Sequence, residues 1–378
     1  MKKEKRNTIL IKGAFGEGNF GDDALMTVIY NLLEEKVKNS EITFSCKNQE
    51  YFKSLFHGCD LSFSKNQNED IIVWGGGTQW FGFEGKAQKN LSRKTKQFIK
   101  KILLKFVHKT QNSYSLQKEG FSKKQIALGV GFGPFEKGIG EKKAQEIYTQ
   151  LSAIFVRDPK SYQICKKWGG DKLLIKATDL CYLDSYLPKI KQTHSTQENI
   201  RIGIIVRDWI HTSRGASYMN PLLNVVDQLR ASQKNVNFIL FSKNKDLIWE
   251  KTLQDRGEKP IFWDPSQSSI ETFMKELSKY DVFISARYHG AIFASLLSKP
   301  VICIEIEPKL ELIARRLEKG AYGWKYPFLP KKCISSLSKI LNNYEETIAT
   351  IEKKVAEERE IAKKMSSLFL ELLLKENK

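Results

Sequence analysis

Short apolar runs closed by glycine, proline or charge alternate along this chain with stretches in which apolar residues recur every three or four positions. The first pattern predicts buried strands and the second predicts helices packed on them. Strands are expected at Thr8–Ile11, Ile42–Ser45, Asp70–Trp74, from Ile126, at Ile154–Asp158 and at Leu173–Ile175, with helices between them. The stretch Leu187 to Asn199 is polar and without period, which marks a linker. A fresh alternation then begins: strands at Ile202–Arg207, Asn237–Phe241, Ile261–Phe262, Asp281–Ile284 and Val301–Ile304, each followed by helical periodicity. Repeated βαβ units imply parallel sheets. The chain is therefore expected to be α/β, with Rossmann-like domains at 1–186 and 200–340 facing a cleft, a linker at 187–199, and one long amphipathic helix or a kinked pair over 341–378.

Charged and glycine-rich residues fall where these strands end, the place where open α/β sheets bind ligands. Arg207 closes one strand; Arg287 and His289 follow another; Lys309 follows the next. Three cations and a histidine suit a small anion that needs a proton. The plainer alternative is that Arg287 pairs with a structural carboxylate and His289 caps its helix. After the first strand, Gly13 to Gly21 makes a tight turn, and Asp22 or Asp23 is placed to cap the next helix. The glycines do not fall in G-x-G-x-x-G register. Gly75-Gly76-Gly77 closes the third strand, where bare backbone N–H groups would cradle an anion or sugar, and Gly129 to Pro134 reads as a second glycine loop. Arg157 and Asp158 are expected to pair with each other.

Composition narrows this picture without choosing a ligand. The chain has 378 residues, 41% of them apolar, and a formal charge of +19 from 62 basic and 43 acidic residues. That balance favours an anionic partner. Much of it is concentrated between Lys86 and Lys124, where Phe98 to Val107 sets apolar residues at helical spacing against lysines. Such a helix docks on a core or lies at a membrane surface. No aromatic ladder accompanies the charge, so nucleic acid is not expected. No run approaches ~18 apolar residues, and Lys12 interrupts the first run short of a signal core. A cytoplasmic protein is expected, with possible contact to the inner face of a membrane. Six scattered cysteines without a C-x-x-C pair read as buried free thiols, with no metal site.

Taken in order, Gly18-Asn19-Phe20-Gly21-Asp22-Asp23-Ala24, Trp74-Gly75-Gly76-Gly77, Gly129-Val130-Gly131-Phe132-Gly133-Pro134, Val156 to Ser161, Ile205-Val206-Arg207, Arg287-Tyr288-His289-Gly290-Ala291 and Pro300-Val301 with Pro308-Lys309 resemble the polysaccharide pyruvyl transferases. The resemblance implies a GT-B-like fold and transfer of pyruvate from phosphoenolpyruvate to two hydroxyls of a sugar, free or carried on lipid or nucleotide, giving a cyclic ketal. It implies His289 as general acid and Arg207 and Arg287 as holders of the donor, on the C-terminal domain. Lys309, Asn19, Gly76 and Gly77 are assigned to substrate binding, and Asp22 or Asp23 to the acceptor hydroxyls or to a base, on the N-terminal domain. The chemistry calls for neither cofactor nor metal. Before Pro308-Lys309 the family often carries Tyr-Asp, whereas this chain has Glu305-Ile306-Glu307. The alternatives are a nucleotide-sugar glycosyltransferase of the GT-B kind, an enzyme that stops at enolpyruvyl transfer, and a non-catalytic membrane-associated scaffold for polysaccharide assembly.

Overall fold

The computed structural model describes residues 7–38, 40–45, 48–56, 62–63, 69–83, 124–190 and 200–375. The basic segment 86–124, save Lys124, lies outside them, as do Cys46, Cys59 and most of the linker stretch. Strands β1 (Asn7–Lys12), β2 (Ser40–Phe44), β3 (Ser62–Phe63), β4 (Ile71–Gly82), β5 (Lys124–Phe135), β6 (Ala153–Val156) and β7 (Leu173–Lys176) form one sheet, in the order β3-β2-β1-β4-β5-β6-β7. A second sheet has the order β10-β9-β8-β11-β12-β13, from β8 (Arg201–Val206), β9 (Asn235–Leu240), β10 (Ile261–Phe262), β11 (Val282–Ser285), β12 (Val301–Ile304) and β13 (Ala321–Trp324). The pairings are parallel throughout. Helices cover both faces, which is why the strands read as unbroken apolar runs: every residue of β6, β11 and β12 is buried.

The helices are α1 (Phe20–Lys36), α2 (Gln49–Leu55), α3 (Glu141–Gln150), α4 (Pro159–Trp168), α5 (Ser213–Ser217), α6 (Met219–Ala231), α7 (Leu247–Asp255), α8 (Ile270–Ser278), α9 (Tyr288–Leu296), α10 (Pro308–Arg316), α11 (Pro330–Asn342) and α12 (Tyr344–Leu374). Each sheet reverses its strand order once, between β1 and β4 and between β8 and β11. At such switch points the helices diverge to opposite faces and leave a crevice beyond the strand ends. The two crevices face each other, because the β1–α1 turn reaches across to the second sheet.

Phe20 makes that connection. Its ring is fully buried among Phe241, Phe273, Phe293 and Trp263, with centroids 4.6–5.1 Å away, and its N–H donates to the Phe241 carbonyl at 3.0 Å. Helix α12 joins the sheets from behind. Ile351 packs under Gly320 beside the second sheet, Phe369 packs against Phe155 of β6, and Arg359 bonds Asp184 at 2.5 Å.

One expectation changes. The glycine stretches at 75–77 and 129–133 are not loops: β4 and β5 run on through them as a paired, bulged ribbon, with Gly75 opposite Leu128 and Gly77 opposite Val130. Backbone pairing between neighbours carries the two strands through these residues despite their low strand propensity, although Gly76, Gly77, Gly129 and Gly133 turn locally to positive φ. The long C-terminal helix expected from the sequence is present as α12, Tyr344–Leu374, following the separate helix α11. The four cysteines among the described residues, Cys165, Cys181, Cys303 and Cys333, are buried and free. None of the described helices is long and apolar enough to cross a membrane.

Candidate functional site

The first turn of α1 is held on the facing domain almost residue by residue. Asn19, its N-cap, does not cap; its side-chain oxygen accepts from Arg287 Nη1 at 3.4 Å, and its amide donates to Asp22 at 2.5 Å. Gly21 lies flat against His289, and a Cβ there would overlap the imidazole ring. Asp22 is partly exposed, with Oδ1 beside Gly77. Asp23 is fully buried: Oδ2 accepts from Tyr51 and, at 2.7 Å, from Trp263 Nε1, while Oδ1 has no partner among the described residues. Burial pushes the Asp23 carboxyl up to about 7, with Asp22 adding to the shift against the opposing bonds from Tyr51 and Trp263. Thus Asp22 faces the crevice, and Asp23 is part of the joint between domains.

His289 stands in the first turn of α9, directly after β11. Its Nε2 is buried without a hydrogen bond among the described residues and lies 3.7 Å from Asp179 Oδ2. Asp179 is fully buried; it accepts from Arg157 Nη1 at 2.7 Å and from the Cys181 N–H at 3.1 Å. Burial opposes its charge, but the His289 ring and Arg157 outweigh it and hold the carboxyl well below the usual carboxylate range. Arg157 also donates to Thr78 at 2.7 Å and lies 4.6 Å from the Tyr288 ring. The expected Arg157–Asp158 pair does not form. Asp158 instead caps α4, accepting from the Ser161 N–H at 2.8 Å, because a carboxylate one residue before Pro159 is ideally placed for free helix donors.

On the second sheet, Arg207 leaves β8 and meets Glu307, the N-cap of α10, at 2.5 Å; Lys309 Nζ is 3.2 Å from the same carboxylate oxygen. The Arg207 guanidinium also lies 4.1 Å from the Trp209 ring. Burial lowers Lys309 to about 8, with Arg207 and Arg157 adding to the effect and Glu307 opposing it. Arg287 is nearly buried. It donates to Asp246 at 2.5 Å and to the Val206 carbonyl at 3.2 Å, so the plainer pairing weighed for it is present. Gly76 and Gly77 have φ of 59° and 76°, conformations that side chains rarely adopt. Gly76 sits against Leu25 and Leu180 beneath the crevice, and Gly77 beside Asp22.

The site therefore gathers Asn19, Asp22, Gly77, Arg207, Arg287, His289 and Lys309 at the two facing crevices. Sequence reading missed Asp179 and Glu307 as partners. Both follow strands at the carboxyl edge, the signal that singled out Arg207. The ligand-type atoms of Asp179, Cys181 and His289 lie within 4.8 Å of one another, but Arg157 already neutralises Asp179, and burial keeps the Cys181 thiol protonated. This donor set is unsuited to a cation, which requires deprotonated ligands.

Two facing parallel sheets, a C-terminal helix and a cation-lined crevice between them define a GT-B-like protein. A family model for polysaccharide pyruvyl transferase matches residues 19–308, and the chain belongs to that family. The fold is similar to that of Neisseria meningitidis UDP-GlcNAc 2-epimerase bound to UDP-GlcNAc (TM-score 0.57, 13% identity, covering 98% of this chain and 100% of that one). It is also similar to Anabaena Alr3699/HepE in complex with UDP-glucose (TM-score 0.57, 11% identity, covering 98% and 99%). At this identity the likeness concerns the fold alone. No curated protein matches the chain in sequence.

Proposed function

We propose that this pyruvyl transferase uses phosphoenolpyruvate as donor and closes a six- or five-membered ketal on two hydroxyls of a saccharide acceptor, lipid- or nucleotide-linked, in cell-surface polysaccharide synthesis. The observation that carries the reading is His289, backed by Asp179, in a crevice whose rim holds Arg207 and Lys309 within a family of this activity class.

The donor's methylene carbon takes a proton from His289, and positive character grows on the carbon bearing the phosphate oxygen. One acceptor hydroxyl adds there and loses its proton. The C–O bond to phosphate then breaks, phosphate leaving with the electron pair, and the second hydroxyl adds and loses its proton. The balance is one donor and one diol to one ketal and one inorganic phosphate. Arg207 and Lys309 hold the donor's anionic groups. Arg287, fixed by Asp246, contributes positive field and orients Asn19. Asp22, the partly exposed carboxylate of the pair, takes the proton from the acceptor or orients its hydroxyls. Positioned acid catalysis of this kind contributes ~10²–10⁴ in rate. These steps need neither a metal nor a redox cofactor.

Product analysis separates this reaction from its nearest neighbour. The expected product adds the mass of pyruvate less water and shows a methyl singlet with no vinyl protons. A product that keeps vinyl protons would mean enolpyruvyl transfer, and transfer of a hexose from a nucleotide-sugar would mean a glycosyltransferase.

A further inference from the structure

The acidic residue before Pro308 is an odd choice for its place. As N-cap of α10, Glu307 makes no capping bond; Asp, Asn, Ser or Thr would do so. Its carboxylate instead lies between Arg207 and Lys309, 2.5 and 3.2 Å away. The exposures are unequal: 5% for the Glu307 side chain, 22% for Arg207 and 26% for Lys309. The cations can be reached from the crevice, and the carboxylate stands behind them. Arg157 faces the same place from the first sheet, since its guanidinium lies 4.6 Å and Lys309 Nζ 5.9 Å from the one Tyr288 ring. Two cations share one carboxylate here, while Arg157 has its own in Asp179. One positive charge is left over at the N-terminus of α10, where Pro308 brings no N–H and the Leu310 N–H donates to the Glu307 carbonyl at 3.1 Å, so that the positive end of the helix dipole adds to the cations in favouring an anion.

We propose that Arg207, Lys309 and the first turn of α10 form a single oxyanion site for a phosphate or carboxylate group, and that Glu307 is its built-in competitor. Glu307 occupies the two cations from behind and holds their affinity for an entering anion down. The donor then binds without the product phosphate being trapped. This inference builds on the anion-binding role given above to Arg207 and Lys309.

The test is calorimetric titration of the full-length protein with inorganic phosphate and, separately, with phosphoenolpyruvate. In Glu307→Gln both should bind roughly tenfold tighter or more, the scale of one charge interaction near a partly exposed pair, and turnover should slow as phosphate release becomes limiting. Glu307→Asp keeps the charge but cannot reach both cations, and should fall between wild type and Glu307→Gln. Lys309→Met should lose phosphate binding. Thermal melts would identify any variant that fails to fold, and the remaining substitutions still decide the matter. Unchanged or weaker phosphate binding in folded Glu307→Gln would overturn the inference, since Glu307 would then only orient its partners. The two readings fail separately. Tighter phosphate binding with no turnover of phosphoenolpyruvate leaves the oxyanion site standing and removes the donor assignment. Turnover with unaltered phosphate affinity does the reverse.

Discussion

Asp22 and Asp23 are neighbours in sequence with opposite surroundings, and the difference has a pH signature. Asp22 meets the crevice; Asp23 is sealed between Tyr51 and Trp263, with one oxygen that has no partner among the described residues. Its carboxyl, raised to about 7 from an ordinary 3.8, keeps a proton in the folded protein that the unfolded chain releases. The contribution of Asp23 to stability therefore falls as pH rises from about 4 to 7, by a few kcal/mol at ~1.4 kcal/mol per unit. Asp23→Asn, neutral at every pH and still able to accept from Tyr51 and Trp263, should flatten that fall. Melting temperatures of both proteins from pH 4 to 8 would show it; parallel curves would count against a proton on Asp23. No sequence pattern distinguishes the two aspartates, because which one is buried depends on how the helix is rotated against a domain more than two hundred residues downstream. The strand-end rule located Arg207, Arg287 and His289 because it depends only on local alternation. It could not give their partners, since Glu307, Asp246 and Asp179 are brought close by tertiary folding.

At the scale of elements, the turn from β1 into α1 is the best example of a motif whose local form was legible and whose purpose was not. Strand, glycines and helix follow from the residues, yet Phe20 reads in sequence as an ordinary apolar residue at a helix start. In the structure it is the plug that fastens one sheet's first helix to the other sheet, with Gly21 set on His289 beside it. Phe20→Ala should cost about 3–5 kcal/mol, the range for deleting a buried aromatic ring, and should uncouple the sheets. Calorimetry would then show two unfolding transitions in place of one, with a larger radius of gyration by small-angle scattering. A single transition shifted by less than a degree or two would refute the role. The glycine strands teach a complementary lesson. Glycine is poor in strands taken singly, so 75–77 and 129–133 read as loops. Pairing of β4 with β5 stabilises both, and no single-strand propensity contains that information.

For the whole molecule, two parallel sheets with one strand-order reversal each follow from the alternation of short apolar runs with helical periods, and so does the crevice between them. The strap formed by α12 does not, although its amphipathic spacing does. Its apolar stripe serves two different surfaces, and Glu358 reaches Thr178 and Arg316 behind the first sheet's strand ends. Arg316 in turn holds the Arg157 carbonyl at 3.0 Å, which ties the last helix to the Arg157–Asp179–His289 row. The most direct test of the central claim is phosphate release from phosphoenolpyruvate by the purified protein across a panel of amino-sugar and hexose acceptors, with His289→Ala alongside. Acceptor-dependent release by the wild type is expected, with a ~10²–10⁴-fold slower rate in His289→Ala and donor binding retained. Release that needs no acceptor, or that survives in His289→Ala undiminished, would contradict that claim.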